Sequence, residues 1–119
     1  MILGIGIDLV EIKRFEQLAR QTDNCFAKRL LTSTEYAHYA KLRKDSEKSS
    51  FLAVHWSLKE AIYKAVNHIK PLFSQLEITK KNQRYNCQID PKIELLLSVS
   101  YSSNNITSIC LAQQTPWKN

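Results

Sequence analysis

Only two glycines occur in the 119 residues, and both fall inside one strictly alternating run near the start of the chain. Between residues 2 and 10, Leu3, Ile5, Ile7 and Leu9 share one face, while Ile2, Gly4, Gly6, Asp8 and Val10 share the other. Period-2 alternation is the pattern of a strand, because successive side chains point to opposite sides. Glycine weakens a strand interior, so two of them on one face imply that something approaches that backbone closely. The strand therefore has one greasy face and one face shaped to receive a neighbour. Asp8 lies on the second.

Helical spacing takes over next. Over residues 11–20, Ile12, Phe15, Leu18 and Ala19 fall on one side and Lys13, Arg14, Gln17 and Arg20 on the other, which predicts a helix with a basic outer face. Two short helices are expected over 25–30 and 34–44, the second opened by Thr32-Ser33-Thr34-Glu35, a capping hydroxyl followed by an acid. The charged run 41–50 reads as a fraying helix end and a loop. The longest helix is expected over 50–67, where Phe51, Val54, Leu58, Ala61, Ile62 and Ala65 form one stripe of a 3.6-residue period. After Pro71 the period returns to 2, predicting strands over 76–80, 85–89, 93–100 and 106–112, with a turn at 102–105. One strand, then helices including one long one, then antiparallel strands make an α+β fold rather than a doubly wound parallel sheet.

The length suits one domain over 1–119, and no repeat, linker or low-complexity tract divides it. No apolar run is long enough to cross a membrane, and the start lacks a basic, cleavable leader, so a soluble cytoplasmic protein is expected. Cys25, Cys87 and Cys110 are odd in number and have no zinc-site spacing, so reduced, buried thiols are expected. Seventeen Lys and Arg against eleven Asp and Glu give a net charge of +6. The partners should therefore be polyanions: nucleic acid, phosphorylated small molecules or an acidic protein.

Two places break the local rules. Asp8 can be a cap for the next helix, since Asp8-Leu9-Val10-Glu11 resembles a capping box, or it can be a ligand on the glycine face. On the long helix, Trp56, Glu60, Tyr63, Lys64 and Asn67 project opposite the apolar stripe. They form either a surface ion pair of Glu60 and Lys64 among scattered aromatics, or a face covered by a subunit or ligand. The common nucleotide-loop and nucleophile signatures are absent from the chain, and no aromatic strand or G-x-x-G loop of the usual RNA-binding modules is present.

These two regions resemble the signature motifs of the bacterial holo-acyl-carrier-protein synthases, the small 4'-phosphopantetheinyl transferases: G-I-G-I-D-L-V-E-I from Gly4 and W-S-L-K-E-A-I-Y-K from Trp56. The stretch F-A-K-R-L-L-T-S-T-E from Phe26 and the strand S-V-S-Y from Ser98 are similar to further motifs of that family. The resemblance implies its α+β fold and transfer of 4'-phosphopantetheine from coenzyme A to a serine of an apo acyl carrier protein, with Mg²⁺ and release of 3',5'-ADP. It implies Asp8 and Glu60 as Mg²⁺ ligands and Lys64 beside the departing phosphate, with Glu60 or a metal-held water taking the serine proton. Lys64, Lys59, His55 and Ser100 are then the coenzyme A contacts, and Lys13, Arg14 and Arg20 dock an acidic carrier protein. It also implies a homotrimer with sites between subunits, which would cover the glycine face and the Trp56/Tyr63 face. His55 and Trp56 stand where that family has Arg and Phe, Asn67-His68-Ile69-Lys70 replaces a Gly-rich stretch, residues 81–86 replace a G-K-P turn, and Tyr101 replaces a histidine. A catalytically weak homologue that binds a carrier protein is therefore the alternative, and a basic RNA-binding module a more distant one.

Overall fold

The computed structural model describes residues 1–116. Strand β1, Ile2–Glu11, is followed by helices α1, Arg14–Ala19, α2, Cys25–Leu30, α3, Ser33–Lys41, and α4, Asp45–Ala65. After a 3₁₀ turn at Phe73–Gln75 come β2, Thr79–Lys81, β3, Arg84–Asn86, β4, Ile93–Tyr101, and β5, Asn105–Gln114. The α+β order expected from the periodicities is the one observed. β1, β5 and β4 form an antiparallel sheet in that order, and β2 and β3 form a separate hairpin.

The glycine face of β1 is where the fold closes. A Cβ at Gly6 would stand 1.8 Å from the Ala61 carbonyl oxygen, and one at Gly4 2.0 Å from that of Ala65. Strand and helix thus meet backbone to backbone, and only glycine permits that approach. The cover expected from a second subunit is supplied by α4 of the same chain. The greasy face points the other way: Ile5, Ile7 and Leu9 are 58%, 58% and 66% exposed. Burial of α4 extends round most of its circumference, because the sheet lies on one side and α1 to α3 with the 73–78 segment lie on the other. The predicted stripe residues Val54, Leu58, Ala61, Ile62 and Ala65 all join the core.

Several boundaries differ from expectation for identifiable reasons. β1 runs through Glu11, paired with Asn105, so α1 starts only at Arg14 and Asp8 caps nothing. The charged run assigned to a loop is largely the first turns of α4, where Asp45 and Glu47 suit the positive end of the helix and the Ser49 hydroxyl donates to Asp45 O at 2.8 Å. Thr32 does cap α3: its Oγ1 accepts from Glu35 N, and Thr32 N donates back to the Glu35 carboxylate. β2 and β3 are shorter than predicted and are joined through Asn82 and Gln83, both at positive φ (51° and 68°), as a two-residue hairpin turn requires. All three thiols are free, and Cys87 and Cys110 are buried, but Cys25 is exposed, contrary to expectation.

Candidate active site

β1 and α4 bring Asp8, Glu60 and Lys64 together. Lys64 Nζ donates to Asp8 Oδ1 at 3.2 Å and to the Ile7 carbonyl at 3.0 Å, so it pairs with the strand and not with Glu60 one helical turn away. Lys64 is half exposed, which makes this ion pair worth at most about 1 kcal/mol to stability; its value is in orienting Asp8. Asp8 Oδ2 is buried without a donor. Burial raises the pKa of Glu60, the Asp8 charge raises it further, and Lys64 opposes both. Two crowded carboxylates, one with an orphaned oxygen, form a donor set that fits a hard divalent cation completed by phosphate oxygens and water. Ser108, opposite Asp8 in the sheet, adds a buried hydroxyl that also lacks a partner, a residue that sequence reasoning missed because only the strand register puts it there.

A cavity of ≈ 640 Å³ opens beside α4. His55 and Tyr101, both singled out in the sequence, line it together with Phe51 and Lys80. The His55 ring stacks on Phe51 with centroids 4.0 Å apart, and Nδ1 carries a proton that it donates to Phe51 O at 2.8 Å. Burial lowers the His55 pKa, outweighing the Glu35 carboxylate 3.8 Å from Nε2. Tyr101 shares a hydrogen bond with the Tyr85 hydroxyl at 3.2 Å, joining β4 to the β2/β3 hairpin, and burial with that bond pushes its pKa up to about 12.

Lys59 has a different place from the one expected. It is 0% exposed, and its ammonium donates to Leu30 O, Phe73 O and the Glu35 carboxylate at 2.8, 2.8 and 2.6 Å. No proton is left for a coenzyme A phosphate, so this expected contact is withdrawn. The helical wheel puts Lys59 beside Glu60; only the packing of α2 and the 73–78 segment decides that it is internal. Glu35, its partner, was legible in the sequence only as a capping acid. Ser100 is exposed on β4 and does not line the cavity. Trp56 and Tyr63 are half-buried, with Phe73 at 5.5 and 6.2 Å from them and Phe26 at 5.8 Å from Trp56. Lys13, Arg14 and Arg20 are exposed along α1, with Arg20 3.9 Å from Asp45. No helix among the described residues is long and apolar enough to cross a membrane.

Comparison with known proteins identifies the family and the fold. A family model described as the 4'-phosphopantetheinyl transferase superfamily matches residues 4–112. A holo-[acyl-carrier-protein] synthase of Mycoplasma pneumoniae is 99% identical over 119 residues, 100% of both chains. That of Mycoplasma genitalium is 58% identical over 114 residues, 96% of this chain and 98% of its own. The crystal structure of a holo-(acyl-carrier-protein) synthase from Bacillus anthracis in complex with CoA (3',5'-ADP) aligns with a TM-score of 0.83 at 26% identity, over 97% of this chain and 99% of that one. The family model covers most of the chain and the relatives match it from end to end: the chain belongs to the 4'-phosphopantetheinyl transferase superfamily and, within it, to the holo-acyl-carrier-protein synthase enzymes.

Proposed function

We propose that this chain transfers the 4'-phosphopantetheine group of coenzyme A to a serine hydroxyl of an acidic apo acyl carrier protein, with Mg²⁺ and with release of 3',5'-ADP, in the cytoplasm. The observation that carries the reading is the meeting of Asp8, Glu60 and Lys64 at the β1/α4 crossing, in a chain whose relatives at 99% and 58% identity are named holo-[acyl-carrier-protein] synthases. Asp8 and Glu60 are the residues that would hold Mg²⁺, which supplies positive charge against phosphate oxygens. Lys64 holds Asp8 in place through Oδ1 and keeps one proton for a phosphate of the leaving group. The serine proton passes to Glu60, whose surroundings make it a stronger base than an exposed carboxylate, or to a water beside it. His55 contacts coenzyme A from the cavity wall. Phosphoryl transfer needs positioning and charge neutralisation more than covalent chemistry, and this site is built for both.

The surface supports two further parts of the reading. Lys13, Arg14 and Arg20 give α1 a basic face for the carrier protein. On the outer side of the sheet, Ile5, Ile7 and Leu9 of β1 continue into Ile109 and Leu96, 40% and 44% exposed, and an apolar patch of that kind is covered by copies of the chain in a homotrimer. Mass spectrometry of an apo carrier protein incubated with this protein, coenzyme A and Mg²⁺ tests the activity: a gain of one phosphopantetheine is expected. Carrier binding without that gain would establish the weak homologue instead. Sedimentation equilibrium tests the assembly, with Ile7→Lys expected to give monomers.

A further inference from the structure

The buried Glu35/Lys59 pair ties α3 and α4, two of the elements that line the cavity, to α2 and to residues 73–78. Lys59 Nζ donates to Leu30 O at the end of α2, to Phe73 O at the start of the 3₁₀ turn and to Glu35 on α3. The second Glu35 oxygen accepts from Ile78 N at 2.6 Å, and the first also accepts from Thr32 N at 2.9 Å. Thr32 Oγ1 in turn donates to Glu77 Oε1 at 2.8 Å. Four segments, α2, α3, α4 and residues 73–78, therefore converge on two side chains. Glu35, His55, Glu77 and Ile78 also line the ≈ 640 Å³ cavity, so the network and the cavity wall share residues.

Stability alone is a poor reason to keep such a pair. Two charges lose their hydration on burial, and an apolar pair of similar volume often stabilises as well or better. What an apolar pair cannot supply is direction: an ammonium with three donors aimed at three acceptors fixes three segments at once. Phe73, held through its carbonyl, sets its ring against Trp56 and Tyr63, the aromatics that flank Glu60 on α4. We propose that Glu35 and Lys59 are positioning residues that hold the cavity wall in the shape that receives coenzyme A, an inference that rests on the functional reading above.

The test compares the wild type, the double variant Glu35→Gln/Lys59→Met and Glu77→Ala, measuring transfer kinetics, thermal unfolding and amide exchange for each. The double variant removes both charges while keeping volume, so its melting temperature should stay near that of the wild type. Its KM for coenzyme A should rise at least about fivefold while kcat changes less than about twofold, the split expected when ligand positioning alone is lost. The Ile78 amide should exchange faster while those of Leu52 and Ile62 keep their protection. A wild-type KM in the folded double variant overturns the proposal, and so does an unchanged KM where the Ile78 amide has come loose. Should the double variant fail to fold, Glu77→Ala decides. Glu77 is exposed and lines the cavity, so its loss removes both the Thr32 tether and a wall carboxylate, and Glu77→Gln, which keeps an acceptor for Thr32, is measured beside it; a KM raised in Glu77→Ala and kept at the wild-type value in Glu77→Gln supports positioning, and any other pattern overturns it. Failure of the wild type to transfer at all is a distinct result, which overturns the functional reading and this inference with it.

Discussion

Replacing Gly6 with alanine tests the contact on which both fold and site depend. The new Cβ would stand 1.8 Å from Ala61 O, 2.8 Å from Ala61 C and 2.9 Å from Ala65 N. The closest approach is at least about 1.5 Å short of ordinary contact, and the obstacle is helix backbone that no rotamer change can move. Overpacking against side chains costs about 1–3 kcal/mol, and a rigid neighbour puts this case at or above the top of that range. Alanine recovers about 0.4–1 kcal/mol by restricting the unfolded chain, since neither glycine has positive φ. A net loss of about 3 kcal/mol follows, against a total of about 6–18 kcal/mol for a chain of this length. Urea unfolding at fixed protein concentration should show the midpoint falling by about 1.5–2 M. Because Asp8 lies two residues along the same strand face, moving β1 off α4 also separates Asp8 from Lys64, and a displacement near 1 Å can cost about a hundredfold in turnover. A loss below about 1 kcal/mol together with near wild-type turnover would refute the backbone-to-backbone packing.

Other perturbations separate the parts of the site. Asp8→Asn or Glu60→Gln should abolish Mg²⁺-dependent transfer while far-UV circular dichroism and melting temperature stay close to wild type; near wild-type turnover at low millimolar Mg²⁺ would dismiss the carboxylate pair as metal ligands. Arg14→Glu should slow association with the carrier protein and flatten its salt dependence without changing coenzyme A affinity, measured at two ionic strengths; equal losses for both would mean global damage. His55 is held below its ordinary pKa of 6.5 by burial, so the unfolded chain takes up the proton first and the stability attached to the neutral ring is lost as pH falls below about 6.5. His55→Gln should remove that acid-side loss from the stability curve, and an unchanged slope below pH 6.5 would contradict the assignment.

Much of this molecule was legible in its residue order. The α+β arrangement followed from where the hydrophobic period changes, because period 2 and period 3.6 each belong to one backbone geometry. The close approach on the first strand followed from two glycines on one face, and the outward direction of Lys13, Arg14 and Arg20 from the apolar side of their helix. Asp8, Glu60 and Lys64 were legible as a group through motif resemblance and the helical wheel. The extent of each element was less so: strand pairing carried β1 past the apparent capping box, and the positive end of α4 turned a charged run into helix.

What covers each face is a property of the packed chain. Alternation in β1 separates a greasy face from a glycine face, yet only the three-dimensional arrangement turns the glycines inward, where backbone contact with α4 replaces side-chain packing, and leaves Ile5, Ile7 and Leu9 outside. Lys59 and Glu60 are neighbours in sequence, about 100° apart around the helix, so no local rule assigns one to the interior and the other to the site. That choice is made by Leu30, Phe73 and Glu35, which reach Lys59 from 29, 14 and 24 residues away and offer the acceptors that a buried ammonium must have.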